Sequence, residues 1–389
     1  VWSYGRRAQK EFTDGSMNVR VGIYTAGEPV ISHSTDHLCI ENALMGVGFH
    51  WQHAYRLMLP PDAVIATAEG KHTSVPSEEP TVIATLPAEA YLRSVVSSEM
   101  NPAAPLEFLK AHAIIARSWL LRQIERSSGD RPDYTAGTDD KRVIRIYDAS
   151  AHSGFDVCND DHCQRYQGEE AVTERAAEAV RLTEGLVLAD AEGHTADCRY
   201  SKCCGGTTEL FSTCWQDTDY PYLISQADLW CEPSHHDDAL EAVLKDYDRQ
   251  TTSRDYYRWK RYVPAEGIAS RLKEFTRRDI GDVKSITPLE AGPSGRIRLL
   301  RISGTAGDID VGKELLIRRL LATDCLLSSA FTAERAGDGR DGFILHGRGW
   351  GHGVGLCQIG AASMAMAGHS AQDILAFYYP GTHIASIPE

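Results

Sequence analysis

No stretch of 18 or more apolar residues occurs in the 389-residue chain, so it contains no transmembrane helix. Basic charge is also scarce. Forty Lys and Arg against 54 Asp and Glu leave a formal net charge of −14. That balance argues against a dedicated nucleic-acid binder, whose footprint is a basic surface. It equally disfavours simple electrostatic attachment to an anionic membrane. There is no internal repeat and no low-complexity linker. With 42% apolar and 24% charged residues, composition excludes disorder and collagen. Ten cysteines are many for a cytosolic chain and too few to frame a disulfide miniprotein. Their even number permits disulfides if the protein is exported. Val1 is what processing or a segment boundary would leave, so a signal peptide would be out of view.

What is present reads as mixed structure. Val19–Tyr24 and Thr81–Leu86 are short strand-like runs. Pro87 suits a first helical position, and Leu92, Val95 and Val96 mark an apolar stripe at helical spacing. Asn101–Pro105 breaks the pattern, and a second helix is expected from Pro105 to about Arg126. A third is expected over Glu170–Thr183, followed by a strand at Gly185–Leu188 with Ala196–Tyr200 as its hairpin partner. Ile286–Ile317 reads as strands, and Gly342–Gly360 as a glycine-rich stretch ending in a helix. Interspersed rather than alternating elements favour an α+β fold over a doubly wound sheet. The expected organisation is a β-rich region over 1–80 and a main region over 81–389, with a loop at 139–168 and a charged, mostly helical insertion at 234–283.

Two charges fall on apolar faces. Glu99 lies at i+7 from Leu92, i+4 from Val95 and i+3 from Val96, in line with the buried stripe and near the helix end. Arg117 falls within about 60° of Leu106, Ala113, Leu120, Leu121 and Ile124 on the next helix. An isolated buried charge costs several kcal/mol or more, so each needs a partner or a cleft. One reading is a structural Glu99–Arg117 ion pair between adjacent helices. The other is a cleft carboxylate serving as a general acid. Periodicity does not separate them.

His152, Cys158, His162 and Cys163 fall within twelve residues, in a polar loop with Gly154, Asp156, Asn159, Asp160 and Asp161. Two imidazoles and two thiolates suit a tetrahedral zinc, and four protein ligands would make it structural. A Cys158–Cys163 disulfide with incidental histidines fits the same spacing. A catalytic zinc is less in keeping with two thiolates and no H-E-x-x-H helix. Two glycine-rich stretches remain. Cys203-Cys204-Gly205-Gly206-Thr207-Thr208 is neither a Walker loop nor a dinucleotide fingerprint, and its cysteines are open to packing or to pairing with Cys198, Cys214 or Cys231. Gly347–Gly355 surrounds Trp350 and His352 with glycines, which suits a sugar-stacking surface and a packing element alike.

Four segments in order resemble the stage II sporulation protein D family, which includes amidase enhancers. They are Leu86–Met100 (LPAEAYLRSVVSSEM), Leu109–Ser118 (LKAHAIIARS), Gly349–Ala361 (GWGHGVGLCQIGA) and Ile374–Thr382 (ILAFYYPGT). The first 80 residues match loosely. The resemblance implies a lytic transglycosylase that cleaves MurNAc–GlcNAc bonds in peptidoglycan strands stripped of stem peptides, in an extracytoplasmic location. Glu99 matches the family's catalytic acid and Arg117 a residue of the same cleft. His152, Cys158, His162 and Cys163 match a structural zinc site found in one branch. Glu99 would protonate the glycosidic oxygen, and the MurNAc C6 hydroxyl would then attack to give a 1,6-anhydro end. A second catalytic carboxylate is not needed, unlike ordinary glycosidases. Lys202, Cys204, Trp350, His352, Gln358 and Tyr378 are the expected substrate contacts. A cell-wall amidase is an expected partner, and a non-catalytic, amidase-activating protein is the rival reading. The chain departs from the family at Lys202 and Cys204, where it has Ser, and at Cys357 and Ile359, where it has Ser and Tyr.

Overall fold

A computed structural model describes residues 17–34, 36–45, 53–67, 82–127, 138–147, 152, 154–159, 163–244, 253–324, 326–337 and 339–387. The chain divides into two compact units. Unit 1 comprises 1–132, 148–198 and 382–389; unit 2 comprises 133–147 and 199–381. The architecture is α+β, as the interspersed pattern implies. The division falls elsewhere than residue 80, and for a physical reason. The strand just after 80, Val82–Pro87, is hydrogen-bonded between Asn18–Ile23 and Val64–Thr67, which precede it.

In unit 1, β1 (Asn18–Ile23) leads into an antiparallel meander of β2 (Thr25–His33), β3 (Leu38–Met45) and β4 (His53–Leu59). β5 (Val64–Thr67) and β6 (Val82–Pro87) belong to a separate sheet of order β5, β6, β1 and the short strand Val157–Cys158. β6 runs antiparallel to β1, with Val21 opposite Ala84, and β1 is parallel to Val157–Cys158. Alternate residues Val82, Ala84 and Leu86 are buried, the period-2 signature of a sheet covered on one face.

β6 passes directly into α1 (Ala88–Glu99), with Pro87 as N-cap. Its fixed φ and missing N–H suit it to a helix start. The stripe Leu92, Val95 and Val96 is fully buried. Asn101–Pro105 ends the helix as expected, and α2 (Leu106–Ser127) follows. From Ala111 to Leu120 every residue of α2 is buried, so it is a central helix rather than one with a single apolar stripe. α3 (Glu174–Leu182) starts at Thr173, whose hydroxyl accepts the Ala176 N–H. The strand Leu186–Ala189 does not pair with Ala196–Tyr200 as a hairpin. Its ladder partner is the distant strand His383–Ser386, and the returning chain adds only the bridge from Ala189 to Thr195 and the Ala196 N–H bond to Leu188 O.

Unit 2 holds a sheet of Val283–Ala291, Ile297–Gly304 and Gly307–Gly312, edged in parallel by Arg142–Ile144. A second sheet pairs Trp259–Pro264 and Phe331–Arg335 with Gly342–Gly347. One core joins Val263, Ile268 and Leu272 to Leu300, Ile302, Leu316, Ile317, Leu320 and Leu345. The segment 234–283 is mostly helical among its described residues, as expected, with helices Asp238–Leu244, Ser253–Tyr257 and Ala265–Thr276. It supplies a sheet strand and the core helix Ala265–Thr276.

Candidate functional site

Glu99 closes α1 and is half-buried. Its Oε1 accepts the backbone N–H of Arg165 at 3.0 Å. The same helix face grips the rest of that segment. Ser94 Oγ donates to Gly168 O and accepts from Gln167 N–H, and Ser97 Oγ accepts from Thr173 N–H. Tyr91 stacks on Tyr166 with ring centroids 5.1 Å apart. Burial pushes the Tyr91 phenol well above its ordinary pKa, reinforced by Cys163, Cys158, Tyr166 and Glu99. Segment 163–173 thus fixes the carboxylate end of α1. Glu169, salt-bridged to Arg93 at 3.7 Å, has its pKa raised by burial.

Arg117 does not pair with Glu99. Its side chain is fully buried, and its Nε and Nη2 each donate to a Glu89 carboxylate oxygen at 2.7 Å while Nη1 donates to Leu186 O at 2.9 Å. A planar guanidinium matches a carboxylate in this fork geometry. Glu89 was missed in the sequence, although its place in the first turn of α1 is where a carboxylate is favoured.

Cys163 lies two residues before Arg165. His152 Nε2 is 3.2 Å and Cys158 Sγ 3.6 Å from Cys163 Sγ, and the three ligand atoms are mutually within 4.8 Å. Ligands at zinc bond lengths in a tetrahedron sit about 3.6–3.8 Å apart, so this donor set fits such an ion. His162, the fourth expected ligand, lies outside the described residues.

The remaining expected contacts lie in unit 2. Lys202 and Trp350 are half-buried. Trp350 and Cys203 exchange backbone hydrogen bonds, and the Trp350 ring is 4.6 Å from Tyr256. His352 Nδ1 accepts the Val354 N–H at 3.0 Å, and the ring meets Trp215 edge-on. Burial, with Arg199, Arg296 and Arg318 nearby, pushes its pKa well below the ordinary value, so the imidazole is neutral. Gln358 is 5% exposed, and Cys204 and Tyr378 are 1% exposed. These three are interior, and the expectation that Cys204 and Tyr378 touch substrate gives way to another geometry. Tyr378 Oη donates to Asp228 Oδ2 at 2.9 Å, and Cys204 Sγ lies 3.3 Å from the same oxygen.

The glycine-rich loop wraps a residue the sequence did not single out. Arg296 is fully buried and donates to Gly351 O, Cys203 O, Cys204 O and Ser294 Oγ. Gly353 has φ +74°, and a Cβ there would lie 2.4 Å from the guanidinium carbon. The loop packs around a buried cation and leaves Trp350 and His352 half-buried.

Residues 77–189 match the family model described as stage II sporulation protein, and 209–355 match one described as a domain of unknown function. The first covers α1, α2 and the segment that holds Glu99. Stage II sporulation protein D of Bacillus subtilis is 26% identical over 300 residues, 77% of this chain and 75% of that protein. An uncharacterized protein of Brachyspira hyodysenteriae is 26% identical over 303 residues, 78% of this chain and 68% of its own length. The amidase enhancer of Bacillus subtilis is 23% identical over 326 residues, 76% of this chain but 40% of that protein. The chain is thus similar to both stage II sporulation protein D and the amidase enhancer, and its residues 77–189 carry the segment that the stage II sporulation protein model describes.

Proposed function

We propose that this protein is a cell-wall lytic transglycosylase, acting outside the cytoplasm on peptidoglycan glycan strands stripped of stem peptides. The observation that carries the reading is the placement of Glu99. A half-buried carboxylate sits at a helix end and is oriented by the Arg165 N–H. In this reading Glu99 protonates the glycosidic oxygen, and the oxocarbenium-like sugar is captured by its own C6 hydroxyl. Glu99 then takes the proton of that hydroxyl, so one group serves as acid and then base. Arg117 acts by position: through Glu89 and Leu186 O it ties α2 to the start of α1 and to the strand Leu186–Ala189. His152, Cys158 and Cys163, with His162, would hold a zinc ion whose contribution is structural. Its ligand Cys163 lies in the segment that reaches Glu99. In unit 2 the half-buried Lys202 and Trp350, with His352, are the proposed glycan contacts.

The test is mass spectrometry of products from amidase-denuded peptidoglycan with wild type and Glu99→Gln. The expected result is 1,6-anhydro ends from wild type only. Hydrated reducing ends would replace the mechanism with ordinary hydrolysis. No product from either protein would favour the second reading, a glycan-binding activator of a cell-wall amidase. The similarity to an amidase enhancer supports that alternative.

A further inference from the structure

The two serine-to-cysteine departures from the family's motifs, at Cys204 and Cys357, lie over 150 residues apart in sequence, yet the fold brings them to one place. There they meet Cys231 and Asp228, and the four ligand atoms lie within 4.8 Å of one another. All four residues are at most 1% exposed. We propose that Cys204, Cys231, Cys357 and Asp228 form a structural zinc site in unit 2.

The donor set is the first argument. Three thiols and a carboxylate match the ligand types of a closed, four-coordinate zinc. Ligand atoms around such an ion are about 3.5–3.8 Å apart. Cys204 Sγ and Asp228 Oδ2 are 3.3 Å apart and all four ligand atoms lie within 4.8 Å of one another, close enough to converge on one ion.

The surroundings are the second argument. Ligands of a metal are usually oriented by hydrogen bonds from outside the first layer. Here the Cys204 N–H donates to Cys357 Sγ and the Gly206 N–H to Cys204 Sγ, both at 3.3 Å. Asp228 receives the Tyr378 hydroxyl on Oδ2 and the Cys231 N–H on Oδ1. Such donors stabilise thiolate and carboxylate charge. Gly360 completes the enclosure: a Cβ there would lie 2.7 and 2.9 Å from the two Asp228 oxygens.

The site's ligands come from three segments: the loop after the strand Tyr200–Ser201, the turn Leu229–Cys231 with its N-cap Asp228, and the N-cap of the helix Gln358–Met366. Zinc would bind them with release of the thiol protons to solvent. The competing chemistry is a disulfide. Cys203 Sγ is 3.5 Å from Cys231 Sγ, and oxidation of that pair would remove one ligand.

The experiment compares zinc content, by plasma mass spectrometry, in the full chain and in Cys204→Ser/Cys357→Ser, both isolated under reducing conditions. Serine is what the family carries at both positions, so thiols are removed with little change of volume. The expected result is loss of one equivalent of zinc per chain. Cobalt loading should likewise lose part of its thiolate charge-transfer absorption. Unchanged zinc in the variant would overturn the proposal, as would a Cys203–Cys231 disulfide found in a separate sample alkylated before any reductant is added. If the double variant does not fold, Asp228→Asn decides by competition with a chromophoric zinc chelator. Affinity weakened roughly tenfold or more supports the site, and unchanged affinity overturns it.

Discussion

Glu89 and Glu99 stand at opposite ends of α1, about 15 Å apart along its axis, and the structure assigns them opposite vulnerabilities. Removing Glu89 as Glu89→Ala leaves the Arg117 guanidinium fully buried, with Leu186 O as its remaining acceptor among the described residues. Breaking a buried pair by deleting one partner costs about 3–5 kcal/mol. Glu89 is itself 30% exposed, which admits water to its side of the pair and favours the lower end of that range. At roughly 2–4 °C per kcal/mol for a unit of this size, the melting temperature should fall by about 6–12 °C. Glu99→Gln keeps an oxygen for the Arg165 N–H, so its stability should stay within about 0.5 kcal/mol of wild type. Its anhydro-product release should vanish. Differential scanning fluorimetry and product analysis on the same preparations read both effects. A Glu89→Ala protein within 1 kcal/mol of wild type would refute the argument that the Arg117 charge depends on Glu89. A Glu99→Gln protein as unstable as Glu89→Ala would refute the division of labour.

Burial pushes His112 down to about 3. The native state therefore binds fewer protons than the unfolded chain below about pH 6.5, so stability is full above that pH and falls as pH drops towards 3, by about 2 kcal/mol at pH 5. His112→Gln, the family's residue, should flatten that acid limb in urea titrations from pH 4 to 7. Ser118 Oγ accepts the Leu188 N–H at 2.8 Å and donates to Ile114 O at 2.7 Å in a buried setting. Ser118→Ala should cost about 1–3 kcal/mol by leaving that N–H unpaired, measured by chemical denaturation. Cys158→Ser/Cys163→Ser should lower glycan turnover roughly 10- to 100-fold, because a small misplacement of a catalytic group is costly. The check is turnover of denuded strands alongside zinc content.

The helical hairpin was legible because α1 and α2 are written in local periodicity, interrupted by Asn101–Pro105. The same periodicity placed Glu99 and Arg117 on buried faces but could not choose their partners. Arg117 reaches a residue 28 positions upstream and a carbonyl 69 downstream, and such contacts are set by packing. The hairpin assigned to Gly185–Leu188 is realised only at Thr195 and Ala196, for a related reason: a strand's sequence carries its alternation, not the address of its main partner. Likewise Arg296 looks like any strand-edge arginine until the glycines of the loop close on it. Asp228 and Cys231 share a short D-x-x-C spacing that a search for ligands would have flagged. Only the fold joins it to Cys204 and Cys357.

The strand His383–Ser386 has a consequence for how the protein comes into being. It closes the edge of Leu186–Ala189 in unit 1 after an interval of roughly 190 residues, nearly all of it unit 2. During synthesis the carboxylate-bearing unit therefore waits, one strand short, while the intervening unit emerges. That interval is pinned near its own ends, since Tyr379 Oη donates to Arg199 O at 2.7 Å. The pairing of Leu186–Ala189 with His383–Ser386 can therefore form only after the segment 199–381 has been made. A chain that stops short of His383 would leave an unpaired strand edge of the kind that recruits other chains. The unit that bears Glu99 is in this way left one strand short until nearly all of the described chain has been made.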